Sequence, residues 1–142
     1  MSYKFCRIDL SKTNYSIIDN WKVLDEPNYE ELIKIYHTYC RYKKFKSVMP
    51  LFKEDFEELE ILGYYNNNKI VAFSMITKYP SSMNVYADQF AWDYKDPSLR
   101  LGINSLKSEC AYYKSLGYKY YYLGQTNKYK EQIDGFEILG PV

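Results

Sequence analysis

From Asn28 onward the apolar residues gather on one side of a helix: Tyr29, Leu32, Ile33, Tyr36, Tyr39 and Cys40 recur three or four apart. Asn28 with Glu31 three positions later has the spacing of an N-terminal cap, so a helix is predicted from Asn28 to Arg41 or Tyr42. A basic connector, Lys43 to Pro50, separates it from a shorter stripe in which Phe52, Phe56 and Leu59 share a face. Upstream, Tyr3 to Leu10 alternates loosely like a strand, and Ser11 to Asn20 is rich in turn formers. Downstream, Ile61 to Tyr65 and Lys69 to Tyr79 flank Asn66-Asn67-Asn68. Asparagine accepts the left-handed backbone of a tight reversal, so this is a hairpin. After a turn at Pro80-Ser81-Ser82, Asn84 to Asp93 reads as a third strand. Val85, Ala87 and Gln89 lie on one face of it, and Tyr86, Phe90 and Trp92 on the other.

The stretch from Tyr94 to Gly140 changes the picture. Asp96 can cap and Pro97 can open a helix whose stripe is Leu99, Ile103, Leu106, Cys110 and Tyr113, stopping before Gly117. Tyr118 to Leu123 then reads as a strand ended by Gly124. The polar Gln125 to Ile133 forms a short helix or loop, and Gly135 to Leu139 a last strand. Strand, helix and strand in one sheet imply a parallel, right-handed crossover. Where such a strand hands over to a helix, unpaired amides and the positive dipole end face one spot, and that spot suits phosphate.

Composition narrows the classes. A length of 142 residues fits one domain, 1–142, and a net charge of +1 provides no global field toward nucleic acid or anionic membrane. No apolar run approaches the roughly 18 residues of a membrane span, and Met1 to Leu10 has no signal-like apolar core. A cytoplasmic protein is the expectation. Cys6, Cys40 and Cys110 stand far apart without metal-ligand spacing, so buried thiols and no metal are expected. The 18 tyrosines could stack on bases, but abundant Lys, Asn, Ile and Tyr together point to an AT-rich coding bias plus packing.

The element order resembles the GNAT N-acyltransferase fold: α/β, with an antiparallel meander, then a parallel strand-helix-strand unit, and helices on both faces. Within it, Asp96-Pro97, Arg100-Leu101-Gly102, Tyr122-Leu123-Gly124, Tyr129-Lys130 and Gly135-Phe136-Glu137 resemble the C-terminal half of the arginyl and leucyl aminoacyl-tRNA-protein transferases. Tyr39-Cys40-Arg41-Tyr42 resembles that family's first helix. The resemblance implies acyl or aminoacyl transfer to an amine, a small molecule or a peptide N-terminus. The donor would be acyl-coenzyme A (acetyl-coenzyme A) or aminoacyl-tRNA. Where acetyl-coenzyme A users of the fold carry two spaced glycines, Arg100 is followed by Gly102 alone, with Ile103 and Asn104 after it.

Individual residues then acquire roles, each with a plainer alternative. Arg100 and the amides of Leu101, Gly102 and Ile103 form a candidate donor-phosphate cradle, with Asn104 counted among the donor-binding residues; alternatively Gly102 allows close packing and Arg100 is solvated. A coenzyme A donor would pair its pantetheine arm along Phe90, Ala91 and Trp92. Tyr129 follows the second core strand, where the fold resembles enzymes with a tyrosine acid, and Asp88 is a candidate base, against the alternative of a surface carboxylate. His37 is read as structural or exposed, and Cys40 and Cys110 as packing residues. Lys43, Lys44 and Lys46 around Phe45 could hold tRNA or be a solvated connector. A different class of reading is a non-catalytic module of the same fold that binds a peptide or partner protein.

Overall fold

The computed structural model describes residues 4–93, 100–125 and 128–141. Its elements are β1 (Lys4–Asp9), β2 (Trp21–Val23), α1 (Tyr29–Lys43), α2 (Lys53–Glu58), β3 (Glu60–Asn66), β4 (Lys69–Tyr79) and β5 (Asn84–Trp92). They continue with α3 (Leu101–Ser115), β6 (Tyr120–Gln125), α4 (Lys128–Glu131) and β7 (Phe136–Pro141). Strand pairing gives the order β2-β3-β4-β5-β6-β1-β7. β5 and β6 run parallel, as the crossover through α3 requires, while β2–β3, β3–β4, β1–β6 and β1–β7 are antiparallel. The expected mixed sheet is therefore present. The chain forms two compact units, one from residues 1–19, 77–88 and 102–142, the other from 20–76 and 89–101.

In the second unit, Asn28 caps α1 by accepting from the Glu31 amide at 3.2 Å, and the helix runs slightly past its predicted end, to Lys43. Leu32, Ile35, Tyr36 and Cys40 form its buried face, packed with Phe56, Ile61, Ile70, Phe73, Met75 and Ala91. The hairpin turns on Asn67 and Asn68, with φ of 52° and 64°. Phe52 departs from its predicted stripe: it stands at the start of α2 and is 59% exposed, while Asp55 accepts from its amide at 2.9 Å. The short strand β2 falls between the turn-rich Ser11 to Asn20 and the first helix, where the sequence predicts no element.

In the first unit, α3 buries Ser105, Leu106, Ser108, Glu109, Cys110 and Tyr113, a wider face than the predicted stripe; Ile103 is half-buried and Leu99 lies outside the described residues. The predicted opening at Asp96-Pro97 also lies outside them. Gly124 does not end β6. It sits within the strand at φ 70°, where the β1–β6 register shifts: Cys6 pairs with Gly124 and Arg7 with Tyr122. Leu123 is thus the extra residue of a bulge, and a glycine in left-handed conformation is what such a bulge favours. β1 inserts between β6 and β7, an arrangement that no local pattern announced.

Candidate functional site

The site is built around the start of α3. The first turn of an α-helix leaves its leading amides without an intrahelical acceptor, here those of Leu101, Gly102 and Ile103, while the Asn104 amide is the first that the helix itself can bond. Arg100, immediately before them, is exposed and has a left-handed backbone, φ 49°. A non-glycine residue there costs about 1 kcal/mol or more. Leu101 is buried and anchors the turn, while Gly102 and Ile103 are half-buried and Asn104 is exposed.

Tyr129 on α4 meets this turn. A Cβ placed on Gly102 would lie 3.8 Å from Tyr129 Cζ and 3.9 Å from Cε1, so the hydroxyl-bearing end of the ring rests beside the glycine. Two residues proposed independently from the sequence are brought together. On the adjoining residue, the Lys130 ammonium donates to the Leu123 carbonyl at 3.2 Å. Burial holds this ammonium below the ordinary lysine range, and Cys6 nearby offsets part of that.

The remaining candidates are distributed along β5. Parallel pairing with β6 joins Asn84, Val85 and Tyr86 to Tyr120, Tyr121 and Tyr122, and among the described residues it goes no further. Asp88, two residues on, is exposed and accepts a hydrogen bond from the Thr77 hydroxyl. In the second unit, Ala91 is buried, Phe90 and Trp92 are half-buried, and the Phe90 carbonyl accepts from the Gln89 side-chain amide at 2.8 Å. Tyr86 stacks on Tyr122 with centroids 4.5 Å apart, and Tyr79 meets Tyr86 edge-on at 5.0 Å. Arg7 lies 3.9 Å over the Tyr120 ring and donates to the Tyr122 hydroxyl at 3.0 Å. The stacked pair covers one face each of Tyr86 and Tyr122, while Tyr79 and Tyr86 are still 48% and 38% exposed.

His37 is exposed and lines a cavity of about 660 Å³ in the second unit, together with Lys34, Arg41, Lys69 and Asp93. Lys43 and Phe45 both lie by the Tyr39 ring at the C-terminal end of α1, at 5.9 and 6.0 Å. All three cysteines are buried, and burial pushes the Cys110 thiol up, away from nucleophilic use. Among the described residues no group of His, Cys, Asp or Glu could hold a metal ion, and no helix is long and apolar enough to cross a membrane. Glu109 carries no signal in the sequence: it is 4% exposed on α3 and accepts from the Tyr121 hydroxyl at 2.5 Å. Lys130 stands out there only as part of a dipeptide; a lysine beside an otherwise polar turn carries no sign of its own burial.

The arrangement is that of a GNAT fold, and solved structures agree. The chain is similar to a protein described as an acetyltransferase of the GNAT family from Novosphingobium aromaticivorans, with TM-score 0.71, 11% identity, and 96% of this chain and 60% of that one covered. It is similar to the L-PGS of Bacillus licheniformis, with TM-score 0.68, 18% identity, and 89% and 48% covered. The third is Saccharomyces cerevisiae N-myristoyltransferase with bound myristoyl-CoA, with TM-score 0.56, 10% identity, and 87% and 42% covered. The chain therefore spans about half the length of such relatives. No protein-family model and no curated protein sequence matches it. These likenesses establish the fold, and several of the neighbours are acetyl- and acyltransferases.

Proposed function

We propose that this chain is an N-acyltransferase that moves an acyl or aminoacyl group from a phosphate-bearing donor, acyl-coenzyme A or aminoacyl-tRNA, to an amine. One observation carries the reading: the hydroxyl end of Tyr129 rests beside Gly102, within the helix turn whose amides can receive an anion. Arg100 and the amides of Leu101, Gly102 and Ile103, with Asn104 beside them, hold donor phosphate, and the Phe90 to Trp92 stretch of β5 pairs with the donor's amide arm, replacing the Gln89 contact. The neutral amine attacks the acyl carbon, and Asp88 takes the ammonium proton. As the tetrahedral intermediate collapses, the carbon–sulfur or carbon–oxygen bond breaks, and the Tyr129 hydroxyl protonates the leaving thiolate or alkoxide. The GNAT fold and the acyl-coenzyme A bound to one neighbour support a coenzyme A donor; the sequence likeness to the aminoacyl-tRNA-protein transferases supports the tRNA donor.

The test pairs two variants. Arg100→Ala should weaken donor binding in calorimetry by about 1–3 kcal/mol, as for other charge-assisted hydrogen bonds. Tyr129→Phe should bind donor normally and lose roughly 100-fold in turnover, the lower range for a general acid. Equal turnover by Tyr129→Phe would remove the acid role. Absence of binding by the unaltered chain to coenzyme A, acetyl-coenzyme A and charged tRNA would favour the non-catalytic module instead.

A further inference from the structure

The bulge in β6 leaves one residue, Leu123, without a partner residue on β1. Cys6 pairs with Gly124 and Arg7 with Tyr122, so Leu123 faces no residue of β1, and the parallel pairing with β5 has already ended at Tyr122. A buried carbonyl needs a donor, and Leu123 is 6% exposed. The donor is the Lys130 ammonium, at 3.2 Å. Lys130 belongs to α4, a four-residue helix in which no residue is fully buried. One turn of helix is not stable by itself, and without a buried apolar face its position depends on point contacts. The neighbouring side chain on that turn is Tyr129, whose ring rests beside Gly102.

We infer that Lys130 is a positioning residue: by bonding the carbonyl of the residue that the β6 bulge leaves unpaired, it fixes α4 and thereby holds the Tyr129 ring against the first turn of α3. Its importance for catalysis rests on the acyl-transfer reading, but the contact it maintains exists without any donor. A bulge bends its strand and turns the chain beyond it in a new direction. Here the next element is α4, and its Lys130 side chain bonds back to the bulge. Burial of the ammonium is consistent with this inward course.

The contact provides its own spectroscopic signature. A hydrogen of Gly102 Cα points at the Tyr129 ring, where a Cβ would sit 3.8 Å from Cζ, so the Gly102 Hα resonances carry the ring's magnetic field. Nuclear magnetic resonance of the donor-free chain should show displaced Gly102 Hα shifts in the unaltered protein and their collapse in Tyr129→Leu. Lys130→Met should give the Tyr129→Leu values while the rest of the spectrum is kept. Lys130→Arg, which retains a long cationic donor, should restore the displaced shifts. A Lys130→Met spectrum that keeps the unaltered Gly102 Hα shifts overturns the inference. If Lys130→Met does not fold, Lys130→Gln serves in its place and is read against the same two reference spectra. Coenzyme A and, separately, an aminoacylated acceptor-stem RNA added to the unaltered chain separate the two ideas: shifts that depend on Lys130, with no response to either, leave the clamp standing and remove the transferase reading.

Discussion

Two glycines show how much a single backbone position can tell. At Gly102 a Cβ would meet the Tyr129 ring at ordinary van der Waals distance, so Gly102→Ala should fold and gain about 0.5–1 kcal/mol from helix propensity, measured as a higher urea midpoint. At Gly135, φ is 79° and a Cβ would run into the Asp9 carbonyl oxygen, which itself lies on the strand bonded to this turn. Gly135→Ala should therefore destabilise by about 1–3 kcal/mol or more. Equal effects at the two sites would contradict the distinction. Gly102 and Tyr129 are both visible in the sequence as candidates. Their contact is not, because it depends on where α4 lands, after a bulge whose only trace in the sequence is Gly124. A glycine after an aromatic run has the local look of a strand end; the partner strand, far off in sequence, decides otherwise.

At the scale of elements, the legible parts are those with local causes. α1 follows from a cap and a stripe, the β3–β4 hairpin from three asparagines, and β5 from alternation. The hairpin allows a direct check: Asn68, at φ 64°, occupies a turn position that glycine fills without steric cost. Asn68→Gly should raise stability by up to about 1 kcal/mol in chemical denaturation without changing the fold, whereas a loss would show that the asparagine side chain, not its φ, matters. β2 and the insertion of β1 between β6 and β7 have no local cause. β2 is three residues long and exists by pairing Trp21, Lys22 and Val23 with Tyr64, Gly63 and Leu62. β1 could pair anywhere by its own pattern; its place is fixed by two partners near the other end of the chain.

For the whole molecule, net charge near zero leaves the pH response to particular buried groups. Burial first, and the adjacent Cys40 second, push the Tyr36 phenol up to about 12, while its hydroxyl donates to the Met49 carbonyl at 2.6 Å. An unfolded tyrosine titrates near pH 10. The folded chain thus keeps this proton when the unfolded chain loses it, and the corresponding stability is complete below about pH 10 and lost on the way to about 12. Lys130 acts with the opposite sign: its folded pKa is lowered, so the unfolded chain binds more protons and stability rises with pH toward the ordinary lysine range. Urea midpoints between pH 8 and 12 should fall less steeply for Tyr36→Phe than for the unaltered chain, and more steeply for Lys130→Met. Parallel curves would refute both assignments. The GNAT architecture is legible in the order of elements, because that order alone restricts the sheet to few topologies. Donor and acceptor are not, since fold and chemistry are separable. The most direct measurement is an amide-shift titration of the ¹⁵N-labelled chain with coenzyme A and, separately, with an aminoacylated acceptor-stem RNA. The account predicts that at least one of them moves the Leu101, Gly102, Ile103 and Asn104 amides together with Tyr129. Saturating amounts of both that leave these five resonances in place would contradict it.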